Sequence, residues 1–490
     1  MIKENVKRRI KFFKEKKFIE TLTYLSRVTL TNQTKTIEMK KLLSLLPLLL
    51  CLPMIAFGQS QSLTIDEAIQ IALENNYQLK QADNNLDLAD VRIWSARADF
   101  LPNLNANISG NRESGLDFIP EDLAFEDRTS YRLSGSISTN VSVFNGFRNI
   151  ANLRQSQFNR ESQELDLERL RETIIFNTAS RYLQVVLDRE LLKIAESTLE
   201  ASESQLAQVE AQVEVGSRPT VDLFNQEATV ANDELAVIQR ENDLEASIAS
   251  LIRIMQDPTI TTIEVSVPDT DELALLPVDL NLNEMIEAAL ESRSDFMAQQ
   301  KDIESNKQDR RIARADLLPS ISMNASIGSS YFDQLTDPIT GGNVPFSDQF
   351  FDQRITRGIG VSVSIPIFNR WNTRTSMQAA DVQVRNSELE LENIRFQISE
   401  EVRQAYNDYI AISKELESTE KALVAAERAF ETEQQRYEVG STTLIELNQA
   451  NANYVQAQSN RVQTVYNFVF QEQLLDYYIG RLGADIDFNF

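Results

Sequence analysis

Residues 63–102, LTIDEAIQIALENNYQLKQADNNLDLADVRIWSARADFLP, align without a gap on residues 280–319, LNLNEMIEAALESRSDFMAQQKDIESNKQDRRIARADLLP. One structural unit is therefore built twice in tandem, and whatever one copy folds into has to pack against the other. Further on, Phe144-Asn145 matches Phe368-Asn369, Tyr182 matches Tyr406, and Glu214-Val215-Gly216-Ser217 matches Glu438-Val439-Gly440-Ser441. The offset grows from 217 to 224, so the second copy carries seven extra residues between Pro319 and Phe368.

Each copy reads as a helix of about 35 residues, a strand, a polar loop, a second strand, a very long helix, a glycine turn and a further helix of about 35 residues. The long helices, at about 150–215 and 372–439, reach ~100 Å each at ~1.5 Å per residue. Leu192, Ala195, Leu199, Ser202, Leu206, Val209 and Val213 recur at spacings of three and four, as do Leu416, Thr419, Leu423, Ala426, Phe430, Glu433 and Tyr437. Such a spacing is a coiled-coil seam. Leu244, Ile248, Leu251 and Met255 offer a partner seam on the helix after the first turn. Each rod is expected to fold back on the helix that follows it. Two shorter helices stacked end to end match one rod.

Beside Pro102 and Pro319 the period changes to two. Leu104, Ala106 and Ile108 alternate with Asn103, Asn105, Asn107 and Ser109, and Ile321, Met323, Ala325 and Ile327 alternate with Ser320, Ser322, Asn324 and Ser326. The returning segments place Leu133, Ile137, Val141 and Val143, then Ile359, Val361, Val363 and Ile365, among serines and glycines. Four strands follow, at about 102–112, 131–145, 319–331 and 354–368, each with an oily face and a wet face. Strands of about ten residues, apolar outside and polar inside, suit a transmembrane barrel with a watery lumen. Four strands cannot close one, since about eight is the practical minimum, so several chains must each contribute four. A soluble four-stranded sheet would need its oily face covered, and rods of this length offer no evident cover. The loops at 111–130 and 328–353 join the strands at the end away from the rods.

Composition narrows the chemistry. Among 490 residues there is no histidine, and Cys51 is the only cysteine. Histidine acid–base catalysis, thiolate nucleophiles, Ser-His triads and imidazole or thiolate metal sites are thereby excluded. A carboxylate enzyme such as a glycosidase needs two acids held roughly 5–9.5 Å apart across a cleft. Here the acids are scattered over solvated helical faces, so no catalytic, cofactor or metal residues are assigned.

From Met39, Lys40 and Lys41 precede an apolar run, Leu42 to Phe57, that ends in Ala-Phe-Gly before Gln59. Residues 39–58 read as a secretory signal, and 1–38 as an upstream start or an extended leader. A membrane helix is the rival reading, against which Pro47 and Pro53 break the run. Cys51 lies inside the run, behind Leu50, which does not suit a lipoprotein. Residues 1–58 hold 12 of the 48 basic and 4 of the 73 acidic residues, leaving 36 against 69, a net −33. Nucleic acid is excluded as a partner by that charge.

From the opening LTIDEAIQIALENN through the ADFLP and ADLLP junctions to the two EVGS turns, the chain resembles the TolC-like outer membrane efflux proteins. The fold class expected is mainly α with a small transmembrane β part: a long helical coiled-coil barrel, plus four strands per chain in a shared β-barrel, over a tandem duplication of 59–279 and 280–490. The resemblance implies a homotrimer with a twelve-stranded barrel in outer-membrane lipid. It also implies a long periplasmic tunnel, a periplasmic adaptor (membrane fusion) protein docked at its tip and an inner-membrane transporter behind it. The channel is then a passive exit duct of a tripartite efflux or type I secretion system, for drugs, metal ions or polypeptides. An exported coiled-coil scaffold without a lumen is the alternative; it accounts for the rods and leaves the strands unexplained. By the same resemblance, residues 257–280 and the tail after Gly483 form a belt around the tunnel.

Gly216, with Ser217 and Pro219, and Gly440, with Ser441 and Thr442, are ordinary stop and start signals between helices. The resemblance places these turns, at about 215–219 and 439–443, at the periplasmic mouth. It makes Val215, Gly216, Ser217, Arg218, Val439, Gly440, Ser441 and Thr442 contacts for an adaptor. Asp222 and Glu446 hold equivalent places after the turns, where acids in similar proteins ring the constriction. An acid in a first helical turn also complements the macrodipole without any gate. Tyr437 matches a position that helps to close the inner hairpins, and it is a seam position as well. Thr442 stands where some members have arginine, and Gln449 where a further acid occurs, so a closed state here uses different contacts.

Overall fold

A computed structural model describes residues 62–119, 124–266, 280–337, 339 and 341–481. The leader, the signal region, belt residues 267–279 and the tail after Gly483 lie outside the described residues. The first copy of the repeat runs β1 (Ser62–Leu63), α1 (Ile65–Asn75), α2 (Tyr77–Ala98), β2 (Asn105–Ile119), β3 (Ala124–Asn145), α3 (Arg148–Glu214), α4 (Thr220–Met255) and β4 (Glu264–Val265). The second runs α5 (Leu282–Ser292), α6 (Ser294–Ala315), β5 (Ser320–Phe332), a short helical turn at 346–353, β6 (Thr356–Ser364), α7 (Asn372–Glu438) and α8 (Leu444–Tyr478).

The helix of about 35 residues expected before each pair of strands is two helices. Asn76, with ψ 121°, leaves the helical region, and its Oδ1 accepts from the N–H groups of Gln78 and Leu79 at 2.8 and 3.1 Å. It thus caps a fresh start. At the equivalent place in the second copy Arg293 also has ψ 121°, but caps nothing with its side chain. It is buried instead, 2.5 Å from Asp295 and 2.5 Å from Glu401 of α7.

α3 and α7 are 67 residues each. At ~1.5 Å per residue they are rods of ~100 Å. Both begin on a non-glycine left-handed residue, Phe147 (φ 68°) and Trp371 (φ 63°), which turns strand into helix. Near the strands the helices lie in a row, α2–α3–α6–α7. Asp90 of α2 pairs with Arg160 of α3 at 3.0 Å; Ser305 and Lys301 of α6 reach Asn159 and Glu161 of α3 at 2.5 and 2.8 Å; Arg310 of α6 pairs with Asp381 of α7 at 2.8 Å. Toward the other end the row is α4–α3–α8–α7. α4 hands over to α2 where Gln256 Oε1 accepts from Tyr77 N–H at 2.9 Å, and α8 meets α5 where Ser292 Oγ donates to the Ile479 carbonyl at 2.5 Å.

The four long strands form one antiparallel sheet in the order β2-β3-β5-β6. Ala106, Ile137 and Ile327 share a row, as do Val141, Met323 and Val361. On the opposite face, serine hydroxyls pair across strands, Ser109 with Ser134 and Ser322 with Ser362, both at 2.7 Å. The apolar face stays exposed, Ile108 at 80% and Ile359 at 78%. β2 and β3 run on to Ile119 and from Ala124, past the expected ends at 112 and 131. Polar pairs such as Ser114–Thr129, 3.1 Å apart, continue the ladder after the apolar alternation has stopped. β6 ends at Ser364 rather than 368, ahead of Pro366, which has no N–H to give. The sheet leaves β2 and β6 each with one open edge. The helical row repeats that order, with α2 above β2 and α7 after β6.

Candidate functional site: the paired tip turns

Both rods stop by the same device. Gly216 (φ +73°) donates to the Val213 carbonyl at 2.9 Å, and Ser217 N–H to the Gln212 carbonyl at 2.8 Å. Gly440 (φ +75°) donates to Tyr437 at 3.0 Å and Ser441 N–H to Arg436 at 2.7 Å. These paired bonds satisfy carbonyls that the helix end would otherwise orphan. Ser217 and Ser441 add their hydroxyls to the same carbonyls, at 2.8 and 3.1 Å. The turns leave Val215 and Val439 almost fully exposed, at 78% and 79%. An exposed apolar residue at a rod's end offers contact area without a partner in its own chain.

The restarts differ. α8 opens with a full capping box: Thr443 Oγ1 accepts from Glu446 N–H at 3.3 Å, and Glu446 Oε2 accepts from Thr443 N–H at 3.1 Å. Thr442 Oγ1 donates to the same carboxylate oxygen at 2.5 Å. These hydrogen bonds, Thr442's first, hold the Glu446 carboxyl below its ordinary pKa. α4 opens on Pro219 with no side-chain cap, and Asp222 keeps its carboxylate free of that duty. Although the two acids are equivalent in sequence, only Glu446 is engaged in capping.

A small apolar cluster ties the two turns together: Val209 and Val213 of α3, Leu223 of α4, Phe430 and Tyr437 of α7, Leu444 and Leu447 of α8. Tyr437 is buried, and the guanidinium of Arg218, from the other turn, sits 4.4 Å from its ring centre. That is cation–π distance. Burial pushes the Tyr437 hydroxyl's pKa up, with Arg218 opposing and Asp222 adding to the rise. Its hydroxyl faces Gln205 Nε2 across the rods without a hydrogen bond of good geometry. One turn inward, the buried Gln226 of α4 donates to the Ser202 carbonyl at 3.0 Å and accepts from Asn448 of α8 at 3.2 Å. Gln226, Asn448, Leu444 and Leu447 position the tip and were not singled out by sequence. Their polar or apolar character on a seam reads as ordinary packing until the second hairpin is seen beside it.

The eight turn residues thus come together at one end of the rods, with Arg218 of one turn on Tyr437 beside the other. Among the described residues no group of three or more acids or cysteines is arranged to hold a metal ion. No helix of the described residues is long and apolar enough to cross a membrane.

The family model described as "Outer membrane efflux protein" matches residues 68–255 and 285–481, one stretch in each copy of the repeat. The chain belongs to that family. Among similar proteins, the pyoverdine export outer membrane protein OpmQ of Pseudomonas aeruginosa is 25% identical over 424 residues, covering 83% of this chain and 82% of the relative. Outer membrane protein TolC of Escherichia coli is 22% identical over 455 residues, covering 91% and 87%. In fold, the chain is similar to the crystal structure of CusC, with a TM-score of 0.74 at 19% identity over 85% of this chain and 92% of the other. The Campylobacter jejuni CmeC outer membrane channel gives 0.73 at 17% identity, over 86% and 87%. As an outer membrane efflux protein, the chain is a non-enzymatic outer-membrane channel of tripartite efflux or secretion systems. Its long helices belong to a periplasmic helical tunnel.

Proposed function

We propose that three copies of the chain close into one duct, that the paired tip turns receive a periplasmic adaptor, and that an inner-membrane transporter selects the cargo which the duct passes without further energy input. The observation that carries the assembly is the pair of open edges. β2 and β6 bound the sheet, and lipid tolerates no unpaired backbone N–H or C=O. β2 of one copy against β6 of the next removes every edge by a head-to-tail contact that a rotation closes into a ring. Two copies would give eight strands, whose interior is about filled by side chains, so three are the fewest that leave a water path.

The helices support the same ring. α7 presents Val382, Leu389 and Phe396, exposed and seven residues apart, on the side away from α6. α2 presents Tyr77, Leu88 and Val91, exposed at the other end of the row. Copy-to-copy packing of α7 on α2 covers both stripes. At the tip, Val215, Gly216, Ser217, Arg218, Val439, Gly440, Ser441 and Thr442 form the adaptor surface. Arg218 on Tyr437, with Asp222 beside them, is the contact that holds the two hairpins together in the closed state. Glu446 contributes to that state by capping α8.

Replacing Cys51 and placing one cysteine on each edge, Asn107→Cys in β2 and Ser362→Cys in β6, tests the ring. Mild oxidation of membranes is expected to give species up to three chains and no larger ladder. Crosslinking confined to single chains, or an open ladder, overturns the ring. A separate pair, Val439→Cys against a periplasmic adaptor carrying a photoreactive hairpin tip, tests the docking surface; absence of adduct in assembled protein removes it.

A further inference from the structure

The seven extra residues of the second copy fall in the segment that contains the helical turn at 346–353. This turn does not extend away from the sheet. The ring of Phe350 lies 2.9 Å from where a Cβ on Gly135 would stand, so a side chain at this position would have to push the ring aside. Gly135 shares its face of β3 with Leu133 and Ile137, which is the apolar face. Phe346 stacks on Phe350 (5.2 Å) and meets Tyr331 edge-on (5.2 Å), and Tyr331 is on that same face of β5. The buried side chain of Gln349 fixes the turn in place. Its Oε1 accepts from Phe332 N–H at 3.0 Å and its Nε2 donates to the Phe332 carbonyl at 3.0 Å. It stands where a strand partner would be, since β6 begins only at Thr356, opposite Gly328.

An aromatic cluster therefore folds back onto the lipid side of the sheet from the end away from the rods, with Phe351 still 67% exposed. At the opposite end of the sheet, Phe147, Phe368 and Trp371 are exposed where strands become helices. Eight residues of β3 separate Gly135 from Val143; at ~3.4 Å each and a tilt of ~40°, that is ~21 Å along the membrane normal. An apolar barrel band is ~25 Å tall with aromatic girdles at its two rims. We infer that the turn at 346–353 is a lipid anchor: Phe346, Phe350 and Phe351 enter the outer rim of the bilayer, at the boundary of headgroups and acyl chains, and set the height of the barrel. The partner is the lipid surface, because the cluster packs on Gly135 and Tyr331, which lie on the same face of the sheet as the exposed Ile359 and Val361. The inference rests on the reading of that sheet as a barrel wall.

The test uses assembled protein with Trp94 and Trp371 replaced by phenylalanine, reconstituted in phosphatidylcholine vesicles brominated at shallow or deep acyl positions. Phe351→Trp reports on the turn and Ile359→Trp, at mid-sheet on the same face, on the wall. The expected result is that shallow bromine quenches at least half the emission of F351W, and deep bromine quenches it less. Deep bromine should quench I359W the more strongly. An unquenched F351W beside a quenched I359W overturns the anchor while leaving the wall, and means that water or a neighbouring copy covers the turn. If neither is quenched, the barrel wall fails and the anchor with it.

Discussion

Gly216 and Gly440 sit at φ of +73° and +75° with nothing within 4 Å of an added Cβ. Alanine at either position meets no clash, so its cost is the left-handed backbone alone, about 1–2 kcal/mol. Gly216→Ala and Gly440→Ala are each expected to lower tip stability by that amount in denaturant titrations of the detergent-extracted protein. A larger loss would mean that an assembled neighbour packs on the glycine. Glu446 makes a different prediction, in pH. Its carboxyl is held below the ordinary value by Thr442 and Thr443, so the folded state gains from its ionised form. That gain is present above the unfolded pKa of about 4.3 and is lost as pH falls through the lower folded value. Protease cutting at the second turn should rise below pH ~4 in the native chain, and Glu446→Gln should flatten that rise. An unchanged profile in the variant would show that the capping box does not control the turn.

Between the tip and the sheet, the two copies of the repeat solve the same joint in different chemistry. Asn76 uses a neutral cap, whereas Arg293 is buried among Asp295, Glu401 and the α5–α6 break. Burial raises the Asp295 carboxyl, but Arg293 and then Arg169 outweigh it and hold the pKa below its ordinary value. Arg293→Met takes the cation from Glu401 and leaves Asp295 only Arg169, 3.8 Å away, a change of about 1–3 kcal/mol in the direction of unfolding, since both carboxylates are partly exposed. Its denaturation midpoint should fall, and adding Asp295→Asn and Glu401→Gln should recover part of the loss. No shift in R293M would make the pairs superficial. Neither joint was legible in the sequence. Helical propensity runs on through Ser292-Arg293-Ser294, and a break imposed by tertiary ion pairs leaves no local mark. The seam from Leu416 to Tyr437 was legible to the residue, because burial at every third or fourth position is what makes a coiled coil. The sheet was legible only where it has an apolar face. Residues 113–117 and 126–130 pair as strands through backbone and polar contacts, which no hydrophobic period records. At the tip, the turns were visible from glycine and serine spacing, while Arg218 on Tyr437 and Gln226 with Asn448 join segments about 220 residues apart.

The whole molecule carries one order of elements through two kinds of structure. The sheet runs β2-β3-β5-β6 and the adjoining helices α2-α3-α6-α7, so both layers present complementary open sides at the same two edges. A charge placed in the α7 stripe belongs to this scale. Leu389→Asp lies on an exposed position of the single chain and should leave the chain's own helices intact. Burial of one leucine is worth ~1.5–3 kcal/mol, and a ring repeats the loss at each contact. The variant should therefore retain helical circular dichroism and lose most of its assembled form after detergent extraction. Full assembly in L389D would move the copy-to-copy contact elsewhere. The central claim, that the open edges close into a conducting ring, is tested most directly by one sample. The mass of the unboiled, detergent-extracted protein is measured by light scattering, and single-channel current is recorded from the same preparation. A closed ring gives a species of three chains that conducts; a monomer without conductance would rule the ring out and return the chain to an exported coiled-coil scaffold.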